Sequence, residues 1–270
     1  MTLERINTHA MVLLGCGKMG SALLAGWLAK GITASSVHVI EPAPSDWLRG
    51  TGVSLNGALP AAPAVVVLAV KPQMMGSALP ALQSFGNGQT LFVSIAAGTQ
   101  MARFSDILGA RTPIIRAMPN TPAAVGQGIT ALIGNAHVSD TDLALAEELL
   151  SAVGQTVRLQ DESQMDAVTA LSGSGPAYVF HLIEAMARAG EAQGLAPDLA
   201  MQLARATVTG AAALAGHSTQ TAAELRQNVT SPGGTTAAAL TVLMDETRGL
   251  PPLMEQAIAA AAARSQELAQ

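Results

Sequence analysis

Near the amino terminus the apolar run Met11-Val12-Leu13-Leu14 leads straight into Gly15-Cys16-Gly17-Lys18-Met19-Gly20. A helical pattern follows over residues 21–30 and stops at Gly31. A strand that ends on Gly-x-Gly-x-x-Gly and opens a helix is the phosphate-binding turn of a βαβ unit. The first glycine permits the tight turn. The second lets a pyrophosphate approach the backbone, and the third lets the helix pack closely on the strand. The helix start adds free N–H groups and the positive end of the helix dipole. This context predicts that the segment binds a dinucleotide; the alternative is a glycine-rich turn that holds nothing. Cys16, inside the loop, reads as a small filler.

The pattern continues as an alternation. Strand-like runs recur at residues 37–40, 65–70, 91–95 and 113–118, with helical patterns such as 74–82 between them. A continuous run such as Val65-Val66-Val67-Leu68 suits a strand buried on both faces. Two more strands are expected at 129–133 and 155–159, with Ser139 capping a helix that closes at Gly154. Alternating strands and helices predict an α/β Rossmann domain, doubly wound around a mostly parallel sheet. Ligands of such sheets bind beyond the carboxyl ends of the strands. The unusual tripeptides Gly15-Cys16-Gly17, Val70-Lys71-Pro72, Ala96-Ala97-Gly98 and Met118-Pro119-Asn120 all fall there.

Glu41 stands at the end of the second strand, about twenty residues beyond the last glycine. An acidic residue there usually bonds the ribose 2′-hydroxyl of NAD and repels a 2′-phosphate. No Arg or Lys follows until Arg49, so this position points to NADH, unless Glu41 faces solvent.

After residue 160 the texture changes. Long Ala/Leu/Met helical patterns cover 175–193, 197–215, 219–229, 235–247 and 251–268, with no convincing strand. The expected organisation is a Rossmann domain over 1–160 and an all-helical domain over 161–270. No period of about 20–50 residues recurs, which excludes a solenoid.

Within the helical part, Ser231-Pro232-Gly233-Gly234-Thr235-Thr236 opens a helix with bare backbone and two hydroxyls. Free N–H groups at a helix start suit a small carboxylate, and a hydroxyl there could hold a substrate nitrogen. An ordinary helix cap with a flexible Gly-Gly hinge is the competing reading. Ser172-Gly173-Ser174-Gly175-Pro176 marks a boundary between helices where another backbone, or a cofactor, could approach closely. His181 and Glu184 are spaced to share a metal, yet no other ligand is in view, and none is assigned.

Composition bounds the partners. Only 12% of residues are charged, against about 25% in ordinary domains, so part of the surface is expected to be covered by another subunit; the alternative is an Ala-rich, small-residue composition that carries no such meaning. The net charge of −5 and the absence of a basic run disfavour nucleic acid. One cysteine rules out an intrachain disulfide and suits the cytoplasm. No stretch of about 18 uncharged apolar residues is present, so no membrane span is expected.

Taken together, these blocks resemble the pyrroline-5-carboxylate reductase family. The resemblance rests on the glycine loop of residues 15–20, Ala69-Val70-Lys71-Pro72-Gln73, Ser94-Ile95-Ala96-Ala97-Gly98 and Arg116-Ala117-Met118-Pro119-Asn120-Thr121-Pro122. It continues through Leu171-Ser172-Gly173-Ser174-Gly175-Pro176-Ala177-Tyr178 and residues 225–236, in the family's order and spacing. The resemblance implies reduction of the C=N bond of 1-pyrroline-5-carboxylate to L-proline by NADPH or NADH, the last step of proline synthesis. It also implies homodimers formed by interleaved helical domains, often assembled into larger rings such as decamers.

Family contacts with the cofactor carry over to Gly15, Cys16, Gly17, Lys18, Met19 and Gly20, to Ala69, Val70, Lys71 and Pro72, and to Ala96, Ala97 and Gly98. Pro119 and Asn120 are placed beside them. The family's substrate loop carries over to Ser231, Gly233, Gly234, Thr235 and Thr236. There backbone N–H groups would hold the carboxylate, and the Thr236 hydroxyl would bond the ring nitrogen and assist its protonation. One departure concerns the cofactor: many members carry Ser, Thr or Asn near the end of strand two to receive a 2′-phosphate, where this chain has Glu41-Pro42-Ala43.

A β-hydroxyacid dehydrogenase would need a lysine on the first long helix of the second domain. The last lysine here is Lys71, which sets that reading aside. Reduction of a related cyclic imine, and a non-catalytic dinucleotide sensor, remain as alternatives.

Overall fold

A computed structural model describes residues 2–268. In chain order the strands are β1 (Met11–Leu14), β2 (Val37–Ile40), β3 (Ser54–Leu55), β4 (Val65–Leu68), β5 (Leu91–Ser94), β6 (Ile114–Met118), β7 (Gly128–Gly134) and β8 (Gly154–Arg158). The helices are α1 (Thr2–His9), α2 (Lys18–Ala29), α3 (Asp46–Arg49), α4 (Met75–Ala78), α5 (Met101–Leu108), α6 (Asp140–Leu150), α7 (Met165–Val168), α8 (Gly175–Ala192), α9 (Pro197–His217), α10 (Ala222–Asn228), α11 (Thr235–Leu243) and α12 (Leu250–Leu268).

One sheet holds all eight strands in the order β3-β2-β1-β4-β5-β6-β7-β8. Its pairings are parallel except β6 with β7. The chain leaves β1 toward β2 on one side and returns to pair β4 on the other. That reversal is the switch point where open α/β sheets carry their ligands.

Side chains alternate across a strand, so one apolar run serves two cores. Met11, Leu13, Val65 and Val67 pack with Leu23, Leu24 and Trp27 of α2 and Leu145 and Leu149 of α6. Val12, Leu14, Val66 and Leu68 face the opposite way, toward Met75, Leu79, Phe104 and Leu108. Each fully buried side chain of this kind contributes about 1.5–3 kcal/mol. The indole N–H of Trp27 donates to the Leu149 carbonyl at 2.9 Å and pins α2 to α6.

Several expected elements are re-cut by local chemistry. The helix expected over 74–82 becomes a single turn, α4, followed by a 3-10 stretch Leu79–Phe85. Pro80 has no N–H to donate and clashes with the preceding turn of an α-helix. The helix expected over 235–247 stops at Leu243, because the Asp245 carboxylate accepts the N–H groups of Thr247 and Arg248 and closes a turn instead. The one expected over 219–229 is trimmed to α10 by a capping box between Thr221 and Glu224. Helix α1 and the two-residue β3 had no sequence expectation. Ile6 of α1 is fully buried, and Arg5 pairs with Asp142 of α6 at 3.0 Å.

By packing, the chain forms two units. One runs through Gly173 and takes in the segment from Ala261; the other is Ser174–Ala260. The change of texture at residue 161 therefore precedes the change of unit. A turn capped by Asp161, then α7 and a π-helical turn Thr169–Gly173, still belong with the sheet, burying Met165 and Ala170. Taken by itself, the second unit is helical. Its buried apolar side chains, among the described residues, are Ala187, Ala200 and Ala204, packed between α8 and α9 with Ile183, Met186 and Met201.

Candidate functional site

The glycine turn and its neighbouring loops lie at the carboxyl ends of β1, β4 and β5. After Leu14 the backbone turns at Gly15, whose φ of +88° is open to glycine and costly for other residues. Its N–H donates to the Ile40 carbonyl at 2.8 Å, so the turn leaves directly from the sheet. Gly20 lets α2 lie against this turn: a Cβ there would sit 2.5 Å from the Gly15 carbonyl oxygen. Gly17 is exposed, precedes the first residue of α2, and has no atom near the place its Cβ would occupy. No side chain caps this helix start. Bare backbone and uncapped N–H groups are what an incoming pyrophosphate needs, so these residues fit a dinucleotide.

The other sequence-predicted positions lie at the neighbouring strand ends. Ala69 continues the β4 ladder by one bond, its N–H donating to the Leu14 carbonyl at 2.7 Å. Lys18 and Lys71 are exposed and Met19 is half-buried. Ala96 and Gly98 are buried while Ala97 is exposed. Cys16 is buried, with its carbonyl bonded by the Ser21 hydroxyl at 2.9 Å. Burial pushes its thiol above the usual range, partly offset by the Ser21 hydrogen bond, so it stays a neutral filler.

Glu41 does not face open solvent alone. One carboxylate oxygen accepts the Cys16 N–H at 2.8 Å and the other accepts the Ala43 N–H at 3.0 Å. The acidic side chain at the end of β2 is thereby fastened to the glycine loop itself.

Pro119 is buried and Asn120 half-buried beyond β6. The Asn120 amide serves as a brace, its oxygen accepting the Ile129 N–H at 3.0 Å and its NH2 donating to Ser172. Arg116, in the middle of β6, is a buried cation that the sequence reading left without a role. Its guanidinium pairs with Glu162 at 3.0 Å, and the same carboxylate oxygen accepts the Met101 N–H at 2.9 Å. Glu162 thus ties β6, through Arg116, to the start of α5, just past the 96–98 loop. Nothing in the local pattern around Glu162 announces this, because the partners lie far apart in sequence.

The helical unit carries the other segment singled out in the sequence. Residues 231–236 form a turn, with the Gly234 N–H donating to the Ser231 carbonyl at 3.0 Å and Gly233 at φ +70°. Helix α11 begins behind Gly234 with no side-chain cap. Ser231, Gly233 and Thr235 are exposed, and Gly234 and Thr236 are half-buried. Among the described residues, no group of three or more His, Cys, Asp and Glu is placed to hold a metal, and no helix is long and apolar enough to cross a membrane. The His181 ring bonds Glu184 on the same exposed helix face.

A doubly wound sheet with a glycine turn at its switch point and a helical unit after it defines a class: nicotinamide-dinucleotide oxidoreductases with a Rossmann domain. Comparison with known proteins narrows the class. Residues 162–268 match the family described as pyrroline-5-carboxylate reductase dimerisation, and residues 10–98 match NADP oxidoreductase, coenzyme F420-dependent. A pyrroline-5-carboxylate reductase of Pseudomonas aeruginosa is 42% identical over 98% of this chain and 98% of its own. A solved pyrroline-5-carboxylate reductase of Coxiella burnetii superposes with a TM-score of 0.89 at 36% identity, covering 97% of this chain and 99% of that one. The Plasmodium falciparum pyrroline carboxylate reductase, solved with NADP bound, gives 0.83 at 29% identity, covering 98% and 99%. This chain belongs to the pyrroline-5-carboxylate reductase family.

Proposed function

We propose that this protein reduces the C=N bond of 1-pyrroline-5-carboxylate to give L-proline, with a reduced nicotinamide dinucleotide as electron donor. The observation that carries this reading is a pair of uncapped helix starts on glycine turns, α2 behind Gly17 and α11 behind Gly234, in a chain of this family. The reduced nicotinamide supplies hydride when bound. Residues 15–20, 69–72 and 96–98 hold and orient the dinucleotide. The N–H groups at the start of α11 hold the substrate carboxylate, each such dipole contact contributing about 0.3–2 kcal/mol. The Thr236 hydroxyl bonds the ring nitrogen and keeps its proton in place, since a protonated imine accepts hydride readily. Alignment of two ligands is then most of what the protein must provide.

Oxidation of the reduced cofactor by the purified protein, followed by absorbance with NADH and NADPH in parallel, tests this. Turnover is expected with pyrroline-5-carboxylate and much less with the six-membered cyclic imine. Cofactor binding without turnover on either imine would favour the sensor reading.

For the cofactor we propose NADH. Glu41 lies fastened to the glycine loop, where its charge would oppose a 2′-phosphate. Glu41→Ser is expected to lower the ratio of kcat/KM for NADH over NADPH by about tenfold, the size of one charged hydrogen bond. A ratio that stays put would remove Glu41 from cofactor choice.

We further propose a homodimer built through the helical unit. Three buried alanines are a small core for Ser174–Ala260, while Phe180, Leu203, Leu214 and Val242 are each about half exposed or more. Light scattering at micromolar protein is expected to give at least twice the 27.3 kDa chain mass; a monomer mass would overturn this. The reducing cytoplasm suits its buried single cysteine.

A further inference from the structure

Asn56 follows the short strand β3 in a left-handed conformation, with φ of +51°. Its own N–H donates to the Val39 carbonyl at 2.8 Å. Its side chain then meets the backbone of Glu41 twice. The amide oxygen accepts the Glu41 N–H at 2.9 Å, and the amide NH2 donates to the Glu41 carbonyl at 2.8 Å. Both polar groups of that residue's main chain are therefore held by one planar side chain. Only Asn and Gln offer an acceptor and a donor side by side in this way. Of the two, Asn is the one that tolerates a positive φ.

From this geometry we infer that Asn56 is a positioning residue for cofactor choice: it locks the peptide groups of Glu41 so that the carboxylate is aimed at the glycine loop. The inference rests on the reading of Glu41 as the residue that senses the ribose. A glutamate has three side-chain torsions, and its carboxylate is placed only as well as its backbone is. Beyond β2 the chain has left the ladder and Pro42 cannot donate, so the sheet no longer fixes Glu41. Asn56 replaces the missing ladder bonds from β3, on the neighbouring edge of the same sheet. The chain of contacts runs from Asn56 to the Glu41 peptide, and from the Glu41 carboxylate to the Cys16 N–H of the phosphate-binding turn.

The test uses Asn56→Gly, which keeps the positive φ at no steric cost and deletes the clamp alone. The NADH-over-NADPH ratio of kcat/KM is expected to fall about threefold to tenfold, the range for one or two neutral hydrogen bonds, with the change lying in the KM for NADH. The same substitution in the Glu41→Ser background is expected to change the ratio no further, because its effect passes through Glu41. An unchanged ratio in Asn56→Gly would overturn the inference. So would an equal fall on top of Glu41→Ser, which would mean that Asn56 touches the cofactor itself. If Asn56→Gly does not yield folded protein, Asn56→Ser is read instead. It is neutral and its single hydroxyl cannot bridge both the Glu41 N–H and the Glu41 carbonyl, so a fall in the ratio in the same direction is expected; none would again overturn the inference. Failure of the Glu41 reading is separate, since it appears as an unmoved ratio in Glu41→Ser alone.

Discussion

Thr236→Val is expected to leave NADH binding unchanged while lowering kcat by about 100-fold or more, the usual contribution of a well-placed proton donor or acceptor. The substitution removes one hydroxyl at nearly constant volume. Valine and threonine have similar helix propensities, so the first turn of α11 is preserved. Among the described residues the Thr236 hydroxyl makes no hydrogen bond, so the substitution breaks none of theirs. A half-buried hydroxyl, at an uncapped helix start and without a protein partner, is available to a ligand. Single-turnover measurements with saturating NADH separate the chemical step from binding. Wild-type turnover in the valine variant would exclude the hydroxyl from the reaction. A rise in KM at constant kcat would reduce it to a binding contact.

The parts of the molecule that were legible in the sequence share one property: their chemistry is local. The glycine turn at 15–20 is a strand end, a positive-φ turn and a helix start within six residues. Val65-Val66-Val67-Leu68 could only be buried on both faces, and it is the middle of the sheet. The helix starts at Ser139 and Gly175 were marked by a capping hydroxyl and by Pro176. What escaped was decided by contacts between distant segments. Helix α1 is too short to show a periodic face, and it is held by Ile6 and the Arg5–Asp142 pair. Nothing near Asn56 says that it will reach Glu41, and nothing near Glu162 says that it will meet Arg116 and the start of α5. Glu41 itself was half legible. Its place at the end of the second strand was readable, but only the fold shows its carboxylate bonded to Cys16.

The glycine turn makes the sharpest separation between packing and ligand approach, because two of its glycines are expected to fail in different ways. Gly20→Ala places a methyl group 2.5 Å from the Gly15 carbonyl oxygen and 3.5 Å from the Ala69 side chain. Alanine would favour the helix by about 1 kcal/mol over glycine. A clash with backbone cannot be relieved by a rotamer change, however, and overpacking of this kind costs about 1–3 kcal/mol. The helix start is pushed off the turn, so both thermal stability and cofactor affinity are expected to fall, the latter by at least about tenfold. Gly17→Ala meets nothing within 4 Å, and its φ of −69° is open to any residue. Its melting temperature is expected to match the wild type. Its NADH affinity, read by nicotinamide fluorescence, is expected to fall by a comparable factor, because the methyl group stands where the pyrophosphate must approach the backbone. Stability lost in one variant and kept in the other, with affinity lost in both, is the signature of a turn built for a ligand. Full NADH affinity in Gly17→Ala would show that the turn at the head of α2 packs the fold and holds nothing.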